Sequence, residues 1–505
     1  MSKTKNPGEA LPSVLILGDQ LNPNISSLAG KSPDNCRILM VENTSKIESK
    51  RWHNQRIHLV ISAMMHFADE LEKKGFEVDY LKSSTLKDGL EVHRKTYEVS
   101  EIIAMEPMNW DGLALLKKLG VNLVKNNQFL CHYEDFADWS AGRKKIRMED
   151  FYRWQRTRLD ILMNEDEPIG GKWNYDDENR EPPPSDGRSW PEVTLFPLDD
   201  IDRGVIDRMP EGWGEPPKGL WPTTREQAQK RLREFIETAL LSFGPHEDAM
   251  MKSEWKLSHS CLSSSLNLGL LHPEEVLKAA EEAFLNHENV PLNSVEGFIR
   301  QILGWREYVW GVYWLWMPKY RENNFLNAKR PLPPAFTENA KTQMSCVGSV
   351  ISNIHENGYA HHIERLMVLG NLALTAGIDP HEMNEWMWAN FVDAAEWVML
   401  PNVVGMALFA DGGLMSTKPY ASGGAYINRM SDFCKTCKYD PKKRTGTDAC
   451  PFTTLYWDFL HRNRKTLKTN HRLSRQLGGL NRLKDLESTR KRAKEVLTLL
   501  DNGEL

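Results

Sequence analysis

Cys434-Lys435-Thr436-Cys437 is a C-x2-C pair, and Cys450-Pro451 follows after twelve intervening residues. Thiolates at such spacing can hold one metal centre from a single turn of chain. A fourth ligand is needed, and Cys346, Cys261, Cys131 and Cys36 are the candidates. By residue type alone, zinc and an iron–sulfur cluster fit about equally; Cys-Pro at the last position leans towards iron–sulfur. A second group of interest is His361-His362 with Arg365. His361 and Arg365 are four apart and share a helix face, while His362 sits one position round, near Leu366 and Leu369. Taken alone, two adjacent histidines are more often packing residues than catalysts.

The elements that must position these groups belong to a long chain. It has 505 residues, 40% of them hydrophobic and 26% charged. That composition predicts a globular protein with a sizeable core, neither disordered nor fibrous. No run approaches the length of a membrane span. The opening residues lack the apolar stretch of a secretory signal, so the cytoplasm is the expected location. Seven cysteines are too few, and odd in number, for a disulfide scaffold. The formal net charge of -5 excludes a uniformly basic nucleic-acid binder. Arg429 to Lys494 is nevertheless rich in Lys and Arg, as a solvated helical face or a phosphate-contacting surface would be. The 17 tryptophans are unusually many; Trp packs cores, stacks on planar ligands and relays electrons.

Residues 14 to 130 alternate short apolar runs with longer amphipathic stretches. The runs are Val14–Leu17, Arg37–Glu42, Phe76–Tyr80, Glu101–Met105 and Val121–Val124, with a helical pattern from about Ile57 to Lys73. This predicts a parallel α/β sheet with ligands at the strand C-termini. No G-x-G-x-x-G or Walker A motif accompanies it, so a nicotinamide or P-loop reading lacks its main support. Residues 164 to 222, rich in Pro, Gly, Asp and Trp, read as a long connection. Helical periodicity dominates from about Thr224.

Downstream of the histidines lie Asn384-Glu385-Trp386-Met387-Trp388, Asp393-Ala394-Ala395-Glu396-Trp397, Leu400-Pro401-Asn402-Val403, Thr417-Lys418-Pro419-Tyr420 and Tyr426-Ile427-Asn428-Arg429. With Leu15–Leu21, Gly171–Arg180 and Glu296–Tyr308, they resemble in order the photolyase/cryptochrome family. More narrowly, they look like its bacterial iron–sulfur branch, whose repair members are prokaryotic (6-4) photolyases. The resemblance covers nearly the whole chain. It implies an α/β antenna-binding domain over 1–135, an interdomain linker over 136–223, and a helical FAD-binding domain with the cluster over 224–505.

The resemblance also implies roles. Cys346, Cys434, Cys437 and Cys450 match the four ligands of a [4Fe-4S] cluster. FAD would lie in the helical domain with its phosphates at His259-Ser260-Cys261-Leu262-Ser263. Asp393, Glu396 and Asn402 would border the ring, and Gln301 and Arg306 would approach flavin and DNA. His362, with His361 beside it, matches the proton donor to the lesion; Arg365 and Tyr420 match its neighbours. A (6-4) lesion must return a hydroxyl between bases, so a proton as well as an electron has to move. Trp386 matches the tryptophan nearest the flavin in the photoreduction chain. Met387 stands where a Tyr is common, and Glu338 where a further Trp is expected; Trp388 or Trp397 could substitute. The antenna would be 6,7-dimethyl-8-ribityllumazine, with Asp19, Gln20 and Glu42 as contacts. Asp176, Glu178 and Asp248 could hold Mg2+ against DNA phosphate. UV-damaged DNA is the implied partner of an expected monomer. A blue-light receptor without repair is the alternative; a metal-dependent nucleic-acid enzyme without light and a non-catalytic DNA-binding module are the rivals from other classes.

Overall fold

The computed structural model of the chain describes residues 10–337 and 341–505. Glu338, expected to interrupt the outer tryptophan chain, lies outside them. The apolar runs become β1 (Leu11–Ile16), β2 (Arg37–Asn43), β3 (Val78–Ser83), β4 (Val99–Met105) and β5 (Asn122–Val124). They form one parallel sheet in the order β3-β2-β1-β4-β5. Val14 pairs with Ile38 and Leu15 with Leu39. The central strands β1 and β2 carry unbroken apolar runs because helices cover both faces. Leu15, Leu39 and Ala104 pack with Leu90 and Leu116, whereas Val14, Ile38 and Met40 pack with Leu59 and Phe67. Those partners come from α1 (Asn54–Lys73), α2 (Leu86–Thr96) and α3 (Trp110–Lys118). The strand order reverses between β1 and β4, and such a switch point leaves a crevice beyond the strand C-termini.

The rest of the described chain is largely helical. The helices that matter below are α4 (Tyr133–Ser140), α5 (Met148–Leu159), α6 (Asp200–Arg208), α7 (Ser263–Leu268), α8 (Leu292–Ile299), α9 (Glu307–Trp316), α10 (Ser345–Asn357), α11 (Pro380–Asn390), α12 (Pro451–Arg462) and α13 (Leu486–Asp501). The span 136–223 is more ordered than the expected linker, since it contains α5 and α6. Phe151 and Tyr152 of α5 are fully buried in the main core, and the Tyr152 hydroxyl donates to Glu296 Oε1 at 2.7 Å. Helix α6 starts from a capping box in which Asp199 and Asp202 accept each other's backbone N–H.

Of the four π-turns among the described residues, three matter here, at Arg300–Arg306, Glu364–Gly370 and Pro401–Ala407; the fourth is Phe235–Ala239. A π-turn inserts a residue and re-aims the side chains around it, and such turns are frequent at functional sites. All three face the same cavity. The first joins α8 to α9, whose Gly311 lets α4 approach closely: a Cβ there would lie 2.2 Å from the Phe136 ring. Gly311→Ala is therefore expected to cost about 1–3 kcal/mol by overpacking. Calorimetric melting checks this, and the loss should shrink in a Phe136→Leu background.

Candidate functional site

The three π-turns, the segment before α7 and the loop carrying Asp393 enclose a cavity of about 300 Å³. His259, Ser260, Cys261, Leu262, Ser263, Gln301, Arg306, His362, Arg365, Asp393 and Asn402 all line it. Trp305, Met399 and Met406 line it too. Of these only Trp305 lies within a segment already singled out; Met399 and Met406 carried no sequence signal.

Asp393 organises this wall. Arg365 Nη1 and Nη2 donate to its two carboxylate oxygens at 3.0 Å each, and Ser263 Oγ donates at 2.7 Å. Asn267 of α7 binds the Asp393 backbone carbonyl at 2.8 Å. The guanidinium also lies 4.0 Å from the Phe391 ring centroid. Arg365 is thus a fixture of the wall rather than a free arm. Arg306 is likewise committed: it bonds Glu307 and the carbonyls of Gln128 and Leu266, and it stacks on Phe129. Burial lowers the Arg306 pKa to about 10.

The histidines are dry. Burial pushes His362 down to about 4, with the Arg365 charge adding to it. Burial, with His362 and Lys256, drives His259 to about 3. His259 and His361 stack in parallel, centroids 4.5 Å apart. His361 is fully buried behind the wall and does not line the cavity. Its Nε2 lies 3.7 Å from Glu364, whose carboxyl burial pushes up to about 8. His259 Nε2 and the Ser264 and Ser265 hydroxyls have no hydrogen-bond partner. Buried polar atoms without partners beside a hollow are what a bound polar group would satisfy. The loop and α7 therefore fit the phosphates of a dinucleotide.

A second cavity, of about 730 Å³, occupies the crevice beyond β1, β2 and β4. Asp19 and Glu42 line it with Asn109, Arg56 and Trp388. Glu42 is held by both Arg208 Nη atoms at 2.6 and 2.8 Å; that pairing outweighs burial and keeps its carboxyl below the usual range. Gln20 does not face this space: its side chain turns inward and donates to the Met105 and Glu106 carbonyls at 3.2 and 3.1 Å, tying β1 to β4. Glu396 belongs here and not beside Asn402. It accepts from Tyr313 at 2.8 Å and pairs with Arg321 at 3.1 Å. It opens a new helix after an irregular turn, so its three-residue spacing from Asp393 does not put the two on one face. Asn267, Asp393 and Trp397 line both cavities and form the partition between them.

Trp386 lies one position off the inner cavity, whose wall carries Met387 instead. Its indole N–H donates to the Phe336 carbonyl at 3.0 Å. Its ring packs on Phe391 at 6.2 Å and on Trp213 at 6.3 Å. Trp213, in turn, packs on the partly exposed His355 at 4.9 Å. Trp213 comes from the expected linker, and its spacing in sequence gave no hint of this role. Trp388 packs on Trp52 at the second cavity.

Cys346 precedes most of α10, Cys450 caps α12, and Cys434 and Cys437 lie on a short turn between. The Cys346 thiol is pushed well up by burial, with Cys450, Cys437 and Cys434 as its charged neighbours. Burial drives Cys434 to about 12. The four therefore converge, from positions up to 104 residues apart (450 minus 346). Among the described residues, no three of these sulfurs lie within 4.8 Å of one another. A tetrahedral zinc site with 2.3 Å bonds would hold them about 3.8 Å apart. Four convergent thiols are a donor set that either a zinc ion or an iron–sulfur cluster could use. Gly424 permits their convergence: a Cβ there would stand 2.8 Å from Cys450 Sγ. Cys36, Cys131 and Cys261 are buried apart from this group.

On the outer side of the inner cavity, Asp176 is bonded to Arg300 at 3.0 Å and to Arg180, and Glu178 to Lys172 at 2.8 Å. Burial lifts Asp248, a cavity residue, to about 6, with Asp176 adding to it. Tyr420 does not line the cavity; burial raises its phenol, with the Asp176 and Asp248 charges contributing. Its loop is tied to the basic segment by Asn470, which donates to the Thr417 carbonyl at 3.0 Å. Arg429, Lys435, Lys465, Lys468, Arg472 and Arg475 of that segment are exposed.

Comparison with known proteins agrees with this geometry. The profile of the family described as deoxyribodipyrimidine photo-lyase-related protein matches residues 14–215. A protein of Agrobacterium fabrum named "(6-4) photolyase" is 45% identical over 478 residues, covering 91% of this chain and 94% of its own. A bacterial class III photolyase structure from Agrobacterium tumefaciens superposes with a TM-score of 0.61 at 15% identity, over 99% of this chain and 100% of its own. A Synechocystis cryptochrome superposes with a TM-score of 0.52 at 15% identity, over 79% and 83%. The two structural likenesses show the fold, and the extended sequence identity shows descent: the chain belongs to the photolyase/cryptochrome family.

Proposed function

We propose that this chain repairs (6-4) photoproducts in UV-damaged DNA under blue light. The observation that carries the reading is the placement of His362 on the same cavity wall as the 259–263 loop, Gln301 and Asn402. A proton-bearing group and a cofactor cradle thereby share one hollow. FAD held there, reduced and excited by light, would lend one electron to the lesion and regain it.

The chain's own residues do the rest. Ser260, Ser263 and the amides leading into α7 hold the pyrophosphate, while Asp393 and Asn402 border the ring. The Arg365–Asp393 pair fixes the wall so that His362 keeps one position through the cycle. The basic residues beyond Tyr420 grip backbone phosphates without reading sequence, and the damaged pair is extruded into the hollow. His362 is neutral before DNA arrives. The phosphodiester charge raises its basicity, so the proton it lends is taken up with the substrate. Asp176, Glu178 and Asp248 would be the carboxylates to share Mg2+ with phosphate, the first two by giving up their pairings with Arg300, Arg180 and Lys172. The four converging cysteines carry a [4Fe-4S] cluster as a structural brace between α10 and α12. The second cavity, with Asp19 and Glu42, takes the lumazine antenna.

Three outcomes test this. His362→Asn should abolish loss of a (6-4) lesion from an oligonucleotide while FAD absorbance is kept. In the parent protein, repair by chemically reduced enzyme should fall as pH rises, by about tenfold per unit above the pKa in the DNA complex, because the protonated imidazole is the active form. Repair that survives the substitution would remove His362 from the mechanism; no repair by the parent protein would leave the receptor reading. Trp386→Phe should slow photoreduction of bound FAD severalfold yet spare repair after chemical reduction, as followed by absorbance. Cys434→Ala should give protein lacking iron and the broad cluster absorption, with a lowered melting temperature.

A further inference from the structure

Away from both cavities, α1 meets α6 through a cluster of titratable side chains that the repair reading does not use. His58, Ser62 and His66 stand four apart along α1 and so form one stripe. Opposite them is the capping box of α6. Each of its carboxylates spends one oxygen on the box: Asp199 Oδ1 accepts the Asp202 N–H at 3.0 Å, and Asp202 Oδ2 accepts the Asp199 N–H at 3.3 Å. The other oxygen of each is thereby aimed at the histidine stripe. Asp199 Oδ2 meets His66 Nε2 at 2.9 Å, and Asp202 Oδ1 faces His58 Nε2 at 3.2 Å.

The polar atoms in this gap are under-used. Ser62 Oγ and His66 Nδ1 are buried without a hydrogen-bond partner, and His58 Nε2 and Asp202 Oδ1 have only each other, at 3.2 Å. The His58 and Asp202 side chains are only 5% and 3% exposed. Buried polar groups left in this state are rare and call for a partner. The ligand atoms of His66, Asp199 and Asp202 already lie within 4.8 Å of one another. Small side-chain rotations would bring them to the roughly 3.3 Å spacing around a tetrahedral ion with bonds near 2.0–2.2 Å. Asp199 is 56% exposed, which leaves a route from solvent.

We propose that His58, His66, Asp199 and Asp202 bind one divalent transition-metal ion of the zinc class, clamping α6 to α1. Two neutral imidazoles and two carboxylates favour such an ion over Ca2+ or Mg2+, which prefer all-oxygen shells. The donors match its charge and, with the ion bound, no polar atom of the two carboxylates is wasted. Because α6 lies in the connection that also supplies Arg208 to Glu42, the ion would brace the wall of the second cavity.

The test uses protein with its cysteine array iron-loaded, treated with a chelator and dialysed. Zinc titration followed by metal analysis should find one equivalent retained, and the melting temperature should rise with zinc concentration. Co2+ in its place should give visible absorption without thiolate-to-metal charge transfer. His66→Gln leaves the capping box intact, and Asp202→Asn removes one donor; each should lose the equivalent and the zinc-dependent melting shift. His66→Gln should melt, without zinc, near the parent temperature. Failure of the parent protein to retain zinc, or retention undiminished in both variants, would overturn the proposal.

Discussion

The ion pair between Arg365 and Asp393 is the interaction on which the site depends. Both partners are mostly buried, at 17% and 8% side-chain exposure. A pair in that setting is costly to break from one side, about 3–5 kcal/mol, because the survivor is left as an uncompensated charge. Here Asp393 stands in the wall of both cavities and Arg365 in that of the inner one. Ser263, Asn267 and Phe391 converge on the same pair, so the phosphate-cradle loop, the His362 helix and the second cavity are positioned by one set of bonds.

The π-turns complement that fixed point. A regular helix repeats its facing side chains every three or four residues. At Arg300–Arg306 the inserted residue lets Gln301, Ile302, Trp305 and Arg306 all reach one cavity. The same holds for Asn402, Val403, Met406 and Ala407 on Pro401–Ala407. The helices thus give up a little regularity where they must present several consecutive residues to a planar guest.

Much of this could be read in the sequence, for definable reasons. The parallel sheet announces itself through uninterrupted runs such as Val14–Leu17, which only a doubly covered strand tolerates. The cysteine array is legible because its spacing is short and its chemistry narrow. The cavity residues around His259, His362 and Asn402 followed from family resemblance and proved to be neighbours. What escaped was geometry that depends on local winding or long loops. Glu396 opens a new helix, where one residue of phase decides which side a chain faces. Gln20 looked like a ligand because it ends a strand, yet its amide is consumed in closing that strand's loop. Trp213 and the facing pairs His58–Asp202 and His66–Asp199 join segments more than a hundred residues apart, with no periodicity linking them. Helix α6 was hidden by the Pro- and Gly-rich composition around it, whereas α5 lies before that stretch.

The partition built from Asn267, Asp393 and Trp397 has an optical consequence. It is one side chain thick, and it consists of an amide, a salt-bridged carboxylate and an indole, none of which absorbs in the blue. Two dyes lodged on its opposite sides would be near neighbours in a transparent medium held rigid by the surrounding helices. Their transition dipoles would keep a fixed mutual angle.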